Sequence, residues 1–341
     1  MAEMTIYTLA KKLNMTPSMV SRALNPEGKI SEEKRRIVLA AAEKYNFRPN
    51  RLASRLSMKP IRIGVLMRSM FKVNADKMIE GIRLSHDELK DYKIRYDISV
   101  LDATASDEEL LGKLESYKDA DGVILSGLSA SRYTSMINGF YAENPNVVQV
   151  QSVNEEANSL FSSKHDEAVA AGLAADFLFN CVRGMPRKNL LLFTGDLSSD
   201  VHSNAVVAFE RSCCEKGMCL LDSVDMKDNE EYLLKSLPEV FSKYEGKIDG
   251  IYMTSGISTP LAKYLEENSL DIPFVAFDTH NEIKQYMKKG IVSAAISQNV
   301  TKQMKVAFES LVKHIIAGGE CPPILYTDVN LMLKSNMHQF S

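Results

Sequence analysis

The stretch that decides the fold of the first domain reads TIYTLAKKLNMTPSMVSRALN over residues 5–25. Apolar side chains recur at helical spacing from Ile6 to Leu13 and predict a first helix. Asn14 tolerates the left-handed backbone of a tight turn, and Thr16 is suited to cap a second helix. The pattern predicts two short helices joined by a tight turn. It is typical of a helix-turn-helix that reads DNA, and a plain helical hairpin is the alternative.

Charge is divided unevenly along the chain. Residues 1–60 hold 12 Lys and Arg against 5 Asp and Glu, whereas residues 61–341 hold 29 against 39. The net charge of −3 therefore conceals a basic segment joined to an acidic body. A basic segment of this size favours a polyanionic partner, which indicates DNA binding by the first part of the chain and another task for the body.

The first sixty residues resemble the DNA-binding headpiece and hinge of the lac repressor family. Three motifs in the family's order and spacing carry the resemblance: Tyr7 to Ala10, VSRALN over residues 20–25, and Arg48-Pro49-Asn50 followed by Ala53 and Leu56. The resemblance implies a headpiece over residues 1–48, a hinge helix over residues 49–60, and a homodimer on a near-palindromic operator. It also implies that Leu56 wedges into the minor groove, and packing against Leu52 is the alternative.

Candidate DNA contacts follow from the same resemblance. Pro17, Ser18 and Arg22 are expected to approach base edges, and Arg22 is able to pair with guanine or to hold a phosphate. Other polar residues of the headpiece are expected to contact phosphates, or only to cap helices and pack against neighbouring side chains. Because Pro17 and Ser18 specify no base strongly, the operator sequence is not predicted. The full candidate set is Thr5, Tyr7, Thr16, Pro17, Ser18, Ser21, Arg22, Asn25, Asn50, Arg51, Ala53, Arg55 and Leu56.

The body alternates buried-strand patterns with amphipathic helical patterns in two series. Predicted strands cover residues 61–67, 96–101, 122–126, 147–151, 189–194, 221–224, 250–254, 273–277 and 292–296. Predicted helices cover residues 75–91, 106–117, 130–143, 164–180, 201–216, 230–244, 258–267, 280–289 and 300–317. Such alternation predicts an α/β fold with two doubly wound parallel sheets. Ligands of these sheets bind beyond the carboxyl ends of the strands.

The body also resembles the core of the same family, which is similar to type I periplasmic binding proteins. The resemblance implies one subdomain over about 61–153 plus 292–318, and a second over about 154–291 plus 319–341. A small-molecule effector is then expected in the cleft between them.

Two effector contacts are implied by position within this core. Asp278 follows the Ala276-Phe277 strand end, and Gln298 ends the segment from Gly290. An N-cap is the alternative role of Asp278, and a crossover hydrogen bond is that of Gln298. Further candidates, each of which has a surface loop or a cap as its alternative role, are Phe71, Asn74, Ser126, Gln151, His202 and Ser255.

The core departs from the family pattern in its polar loops. The arginine that usually opens the helix after the Gly195 loop is absent, and Ser255-Gly256 stands where the family has an Asn-Asp pair. Because these losses leave little cationic help for a carboxylate or phosphate, the sequence predicts a neutral effector such as a sugar. A core without a ligand, or one regulated by a protein, is the alternative.

Motifs for catalysis and for metal binding are missing from the sequence. No phosphate-binding loop or Gly-x-Ser-x-Gly elbow is found, and the 6 His residues are scattered. The 5 Cys residues form no Cys-x-x-Cys pair, which supports neither a zinc site nor a disulfide framework. No signal peptide or membrane-spanning run is read from the sequence. We expect a cytoplasmic protein that is not an enzyme and uses no metal or cofactor.

Together these patterns predict a sequence-specific transcriptional regulator. It is expected to repress carbohydrate-utilisation genes under the control of a neutral ligand, such as a sugar, bound between the core subdomains. An activator or an effector-independent regulator of the same family is an alternative. A sugar-sensing binding protein without a DNA target is another, and an enzyme on an α/β body is a third. The expected partners are double-stranded operator DNA, the effector and a second copy of the chain, with no membrane. Helix 74–91 is the candidate dimer surface.

Overall fold

The computed structural model of the chain describes residues 5–24, 29–45, 47, 59–69 and 72–340. These residues form two compact units. The first comprises the described residues up to Pro60 together with Asp91–Lys93, and the second contains the rest of the described chain from Ile61. The hinge helix predicted over 49–60 lies almost entirely outside the described residues and stays a prediction.

The first unit contains three helices. They are α1 (Ile6–Lys12), α2 (Pro17–Leu24) and α3 (Glu32–Lys44). Thr5 caps α1, because its hydroxyl accepts from the Thr8 amide at 3.2 Å while its own amide donates to the Thr8 hydroxyl at 2.7 Å. Asn14 has the predicted left-handed backbone, with φ of 52°. The Thr16 hydroxyl accepts from the Met19 amide at 3.2 Å and caps α2. The predicted pair of helices and its turn are confirmed.

A small apolar core holds the three helices together. Leu9 and Val20 are fully buried, and the small side chain of Ala10 allows α1 and α2 to approach closely. Val38 joins this core from α3. Burial of such side chains contributes about 1.5–3 kcal/mol each, so three short helices that are marginal alone form a stable unit together.

The second unit consists of two lobes, each built around a six-stranded sheet. The first sheet has the order β11-β5-β4-β3-β1-β2 and comprises β1 (Ile61–Ser69), β2 (Ile94–Asp102), β3 (Gly122–Ser126), β4 (Val147–Val150), β5 (Phe161–His165) and β11 (Ile324–Thr327). All its pairings are parallel. Its helices are α4 (Lys72–Glu88), α5 (Asp107–Glu115), α6 (Thr134–Glu143) and α12 (Val300–Ala317).

The second lobe repeats this arrangement. Its sheet has the order β12-β10-β9-β8-β6-β7 and comprises β6 (Asn189–Thr194), β7 (Cys219–Asp225), β8 (Gly250–Met253), β9 (Phe274–Phe277), β10 (Ala294–Ser297) and β12 (Asn330–Met332). Only β12 runs antiparallel, against β10. Its helices are α7 (Glu167–Val182), α8 (Asp200–Glu215), α9 (Glu230–Lys243), α10 (Ser258–Glu267) and α11 (Asn281–Lys289). The predicted α/β class with two doubly wound sheets is confirmed.

The predicted subdomain boundaries are wrong at three strands. β5 pairs with β4, so the first lobe continues beyond residue 153. β10 pairs with β9 in the second sheet, although the prediction places residues 292–318 as a whole in the first subdomain. β11 returns to the first sheet beside β5. The chain therefore crosses between the lobes three times, and this long-range pairing leaves no trace in local periodicity.

The predicted helix over 164–180 begins too early for a related reason. β5 reads FSSKH, which lacks the apolar alternation of a strand, yet every residue in it is buried. α7 begins only at Glu167, after Asp166, whose carboxylate caps it by accepting from the Ala168 and Val169 amides. Neighbouring strands, and not the hydrophobicity of its own residues, stabilise β5.

Candidate functional site: the cleft between the two lobes

A cavity of about 410 Å³ lies between the lobes of the second unit. Its walls are formed by residues at or just after the carboxyl ends of strands from both sheets. In the first lobe these include Ser69 and Ser126, and in the second Thr254 and Asp278. This is where doubly wound sheets bind ligands.

The cleft brings together most of the candidate effector residues. Those that line it are Asn74, Ser126, Gln151, His202, Ser255, Asp278 and Gln298. Phe71 lies outside the described residues. Their contact with a ligand stays a prediction.

Asp278 and Gln298 form a joint hydrogen-bonding unit. The Gln298 Nε2 donates to Asp278 Oδ1 at 2.9 Å. Asp278 has a left-handed backbone, with φ of 65°, and it does not cap α11, whose N-cap position is occupied by His280. Burial raises the pKa of the Asp278 carboxyl, and the hydrogen bond from Gln298 opposes this rise. The pair offers an acceptor carboxylate beside an amide, which suits vicinal hydroxyl groups.

Asp228, which the sequence analysis missed, is the centre of a second group of hydrogen-bonded side chains in the cleft. The His202 Nε2 lies 3.0 Å from Asp228 Oδ2, and Ser255 donates to Asp228 Oδ1 at 2.6 Å. The Asp196 amide donates to Asp228 Oδ2 at 3.2 Å. Burial alone would raise the pKa of Asp228, but these hydrogen bonds hold it at about 2. A Cβ on Gly195 would lie 2.3 Å from His202 Nε2, so glycine is required beneath the pair.

His165 is a further cleft residue that sequence reasoning missed. It ends β5, is only 4% exposed, and lies with its ring centroid 5.6 Å from that of Phe277. Burial lowers the pKa of His165 to about 4, so the ring is neutral at physiological pH. Its Nδ1 has no hydrogen-bond partner among the described residues. The position of His165 at a strand end was the available signal, but it was hidden inside a predicted helix.

Two arginines on the first-lobe side correct the expectation that the cleft offers little cationic help to a carboxylate or phosphate. Arg68 and Arg132 both line the cavity. Their guanidinium carbons lie 5.8 Å and 4.7 Å from the ring centroid of Tyr133. Arg68 donates to the Ala103 carbonyl, and Arg132 donates to the Tyr133 hydroxyl. Neither arginine belongs to a motif, which is why comparison with the family's usual positions overlooked them.

The lobes contact each other across the mouth of the cleft. Ala130 and Ser199 form an isolated antiparallel bridge, and the hydroxyls of Ser129 and Ser199 lie 2.8 Å apart. The Glu155 amide donates to the Asp200 carboxylate at 3.0 Å. The cleft is therefore closed, with its lobes joined by polar contacts that are each weak enough to break.

The first unit presents a separate polar face. On α2, Ser18, Ser21 and Arg22 are exposed, whereas Val20 and Ala23 are buried. The remaining candidate DNA contacts that the structure describes are Thr5, Tyr7, Thr16 and Pro17, of which Thr5 and Thr16 serve as caps. The candidates outside the described residues are Asn25, Asn50, Arg51, Ala53, Arg55 and Leu56.

Membrane-spanning helices and metal clusters are both absent from the described part of the chain. None of its helices combines the length and the apolar character needed to cross a membrane. No group of three or more His, Cys, Asp or Glu side chains in these ranges is arranged to hold a metal ion.

Comparison with known proteins gives a family match to both units. Residues 5–50 match the family of bacterial regulatory proteins described as lacI family, and residues 74–320 match the periplasmic binding protein domain. Catabolite control protein A of Priestia megaterium is 25% identical over 233 residues, which cover 67% of this chain and 66% of that protein. The match thus spans just under two thirds of the relative's length.

Solved structures share the fold of the body. A glucose-galactose binding protein from Geobacillus stearothermophilus superposes with a TM-score of 0.72 at 18% identity, over 82% of this chain and 99% of that one. An ABC transporter solute binding protein from Burkholderia graminis, in complex with D-arabinose, gives 0.73 at 16% identity, over 83% and 100%. At these identities the likeness shows the fold alone.

Proposed function

Because this chain belongs to the lacI family of bacterial regulatory proteins and carries a periplasmic binding protein domain, we propose that it is a transcriptional regulator controlled by a carbohydrate-class ligand. The single observation that carries the proposal is the joining of a helix-turn-helix to a two-lobed body with a polar cleft. Operator DNA is its macromolecular target, and the cleft ligand sets its affinity for that target.

The DNA-binding part of the proposal rests on the exposed face of α2. Ser18 and Arg22 project from the same side of the helix, with Arg22 Nη2 donating to Ser18 Oγ at 3.0 Å. The contact is an exposed one between residues four apart, so Arg22 is able to exchange it for a base edge or a phosphate. With 12 Lys and Arg in residues 1–60, affinity for DNA is expected to fall steeply with salt.

The ligand part rests on the polar groups of the cleft. Asp278 and Gln298 supply an acceptor and a donor side by side, and neutral His165 is available beside Phe277. A cavity of about 410 Å³ suits a ligand of monosaccharide size. The names of the relatives, which speak of catabolite control and of glucose, galactose and arabinose, support a carbohydrate effector. We propose that the protein represses carbohydrate-utilisation genes in response to it.

We place a homodimer interface on α4. Gly81 and Ser85 face α12, and the Ser85 hydroxyl donates to the Lys305 carbonyl at 3.1 Å. The same helix leaves Val73 50% exposed and Leu84 41% exposed. Such apolar side chains gain free energy when a second copy of the chain covers them. Two linked headpieces bind one operator more tightly than a single headpiece.

Control of DNA binding follows from the closed cleft. A ligand that binds the closed lobes better than the open lobes shifts the equilibrium between them. The resulting change in operator affinity is expected to be about 1–3 kcal/mol, the usual coupling between two sites. We assign the cleft a binding role and no catalysis, because the chain matches families of regulatory and binding proteins. Function on operator DNA places the protein in the cytoplasm.

Selection of genomic fragments, followed by fluorescence anisotropy on the enriched sequence, tests this proposal. We expect tight, salt-sensitive binding that Arg22→Ala weakens at least tenfold. Arg211→Ala is the matched control, because Arg211 is an exposed helical arginine of the second unit. If no fragment binds better than bulk DNA at moderate salt, the proposed function is wrong.

A further inference from the structure

We propose that the cleft ligand carries an anionic group, a carboxylate or a phosphate on a polyhydroxylated body, which Arg68 and Arg132 hold. This inference rests on the proposed function and narrows its ligand class. It replaces the neutral effector expected from the missing family arginine. The two arginines belong to the first-lobe wall of the cleft, which no family motif describes.

The two arginines are placed by one buried ring. Tyr133 is 1% exposed and belongs to the apolar core of the first lobe, so its position is fixed. The guanidinium groups of Arg68 and Arg132 both lie against it, at 5.8 Å and 4.7 Å from its centroid. A cation beside an aromatic ring is attracted to its face and loses conformational freedom. This attraction and the hydrogen bonds to the Ala103 carbonyl and the Tyr133 hydroxyl favour these positions of the two charges before any ligand arrives.

Neither arginine forms an ion pair within the parts of the chain that the structure describes, although Asp102 attracts Arg68, and Asp107 and Asp196 attract Arg132, from a longer distance. No carboxylate oxygen lies within 4.0 Å of a guanidinium nitrogen of Arg68 or Arg132 there. The Nε of Arg68 is buried and has no hydrogen-bond partner in the same ranges. A guanidinium without a carboxylate partner is able to bind an anionic group of a ligand.

The carboxylates of the cleft are engaged elsewhere. Asp228 accepts from Ser255 and pairs with His202, and Asp278 accepts from Gln298. Asp107 and Asp196 attract Arg132 without forming an ion pair with it, and the Oδ1 of Asp196 accepts from the Ser198 amide at 2.9 Å. The positive wall of the first lobe therefore faces hydrogen-bonded acids of the second lobe.

The separation of the two arginines from the hydrogen-bonded acids predicts which chemical groups the two ends of the ligand carry. Arginine binds carboxylate and phosphate groups through parallel N–H donors, with a strength and geometry that neutral hydroxyls do not match. Hydroxyl groups suit Asp278 and Gln298 at the other side. A sugar acid and a sugar phosphate share this chemistry, and the experiment distinguishes them.

The test is a thermal-shift titration of the full chain with matched probes. Glucose, glucuronate, glucose 6-phosphate and inorganic phosphate are compared at equal concentration, and galactose, galacturonate and galactose 6-phosphate form a second series. We expect at least one sugar anion to raise Tm by several degrees more than its neutral parent. A response to the uronates alone assigns a carboxylate, and a response to the sugar phosphates alone assigns a phosphate.

Arginine variants then test whether the stabilisation by a sugar anion depends on Arg68 and Arg132. Arg68→Gln and Arg132→Gln are each expected to weaken binding of the responding anion at least tenfold. Arg62→Gln, at the opposite end of β1, is the matched control and is expected to leave binding of the anion unchanged. The Tm without probe verifies that each variant is folded.

Three results would overturn the assignment. Neutral sugars that raise Tm as much as their anions refute it while leaving a carbohydrate regulator in place. A response to anions that persists in both arginine variants also refutes it. If no probe raises Tm, the anionic ligand is rejected, and operator binding by anisotropy decides the proposed function separately.

Discussion

The hydroxyl of Ser129 in the first lobe lies 2.8 Å from that of Ser199 in the second, and this contact joins the lobes across the mouth of the cleft. The adjacent Ala130 extends it into a short antiparallel bridge with Ser199. A net hydrogen bond is worth about 0.5–1.5 kcal/mol, so such a bridge closes the cleft without making closure permanent. A ligand whose binding favours one state by a few kcal/mol is able to control it.

Asp228→Asn tests the hydrogen-bonded acid of the second lobe. Its pKa of about 2 lies below the ordinary value of 3.8, so ionised Asp228 stabilises the fold by about 2 kcal/mol at pH 7. This contribution is complete above pH 3.8 and is lost as the pH falls towards 2. We expect urea titrations to show a deficit of about 2 kcal/mol at pH 7 that shrinks by pH 3. Asp119→Asn, on an exposed loop, should show none. A constant deficit at both pH values would contradict the assignment of this stability to the ionised carboxylate.

His165 predicts a different pH dependence. Because its pKa is lowered from 6.5 to about 4, the unfolded chain takes up a proton in this window before the folded chain does. The contribution of His165 to the free energy of unfolding is complete above pH 6.5. It declines by about 3 kcal/mol as the pH falls to 4. Unfolding free energies measured between pH 7 and 4 should fall less in His165→Gln than in the parent. His338→Gln, at an exposed site, should match the parent; an equal slope in all three proteins would remove the claim.

Gly195→Ala tests the packing beneath the His202–Asp228 pair. An added Cβ would lie 2.3 Å from His202 Nε2 and 2.4 Å from Asp228 Oδ1, so the pair must move. We expect a loss of about 1–3 kcal/mol of unfolding free energy, as for other overpacked sites. Gly172→Ala is the control, because Gly172 lies within α7 with nothing within 4 Å of an added Cβ, and it should stabilise by about 0.5–1 kcal/mol. Equal effects of the two substitutions would show that the pair is not held tightly.

The sequence predicts best what neighbouring residues decide together. The turn at Asn14 and the cap at Thr16 are local, so their pattern predicts the helix-turn-helix directly. Asp278 and Gln298 are predicted by a motif that continues through the strand before each. By contrast, the sequence FSSKH of β5 is polar and becomes a buried strand only because β4 and β11 lie on either side of it.

Much of the cleft depends on such long-range placement. Arg68 and Asp228 are separated by most of the body in sequence and line one cavity only because both lobes close upon it. Neither belongs to a motif, and nothing in its immediate neighbours predicts its role. The rule that loops after parallel strands face the cleft would have selected both, but it selects many other residues as well.

The central claim, that the state of the cleft sets the affinity for operator DNA, is tested most directly without any ligand. Cysteines at positions 129 and 199, introduced as Ser129→Cys and Ser199→Cys, are expected to form a disulfide that locks the lobes together. Anisotropy titrations of the selected operator fragment compare the oxidised and reduced double variant, with the parent chain treated identically as the control. A change of about 5- to 150-fold in Kd between the two forms of the double variant is predicted, with none in the parent. Equal Kd values for the locked and unlocked protein would contradict the claim.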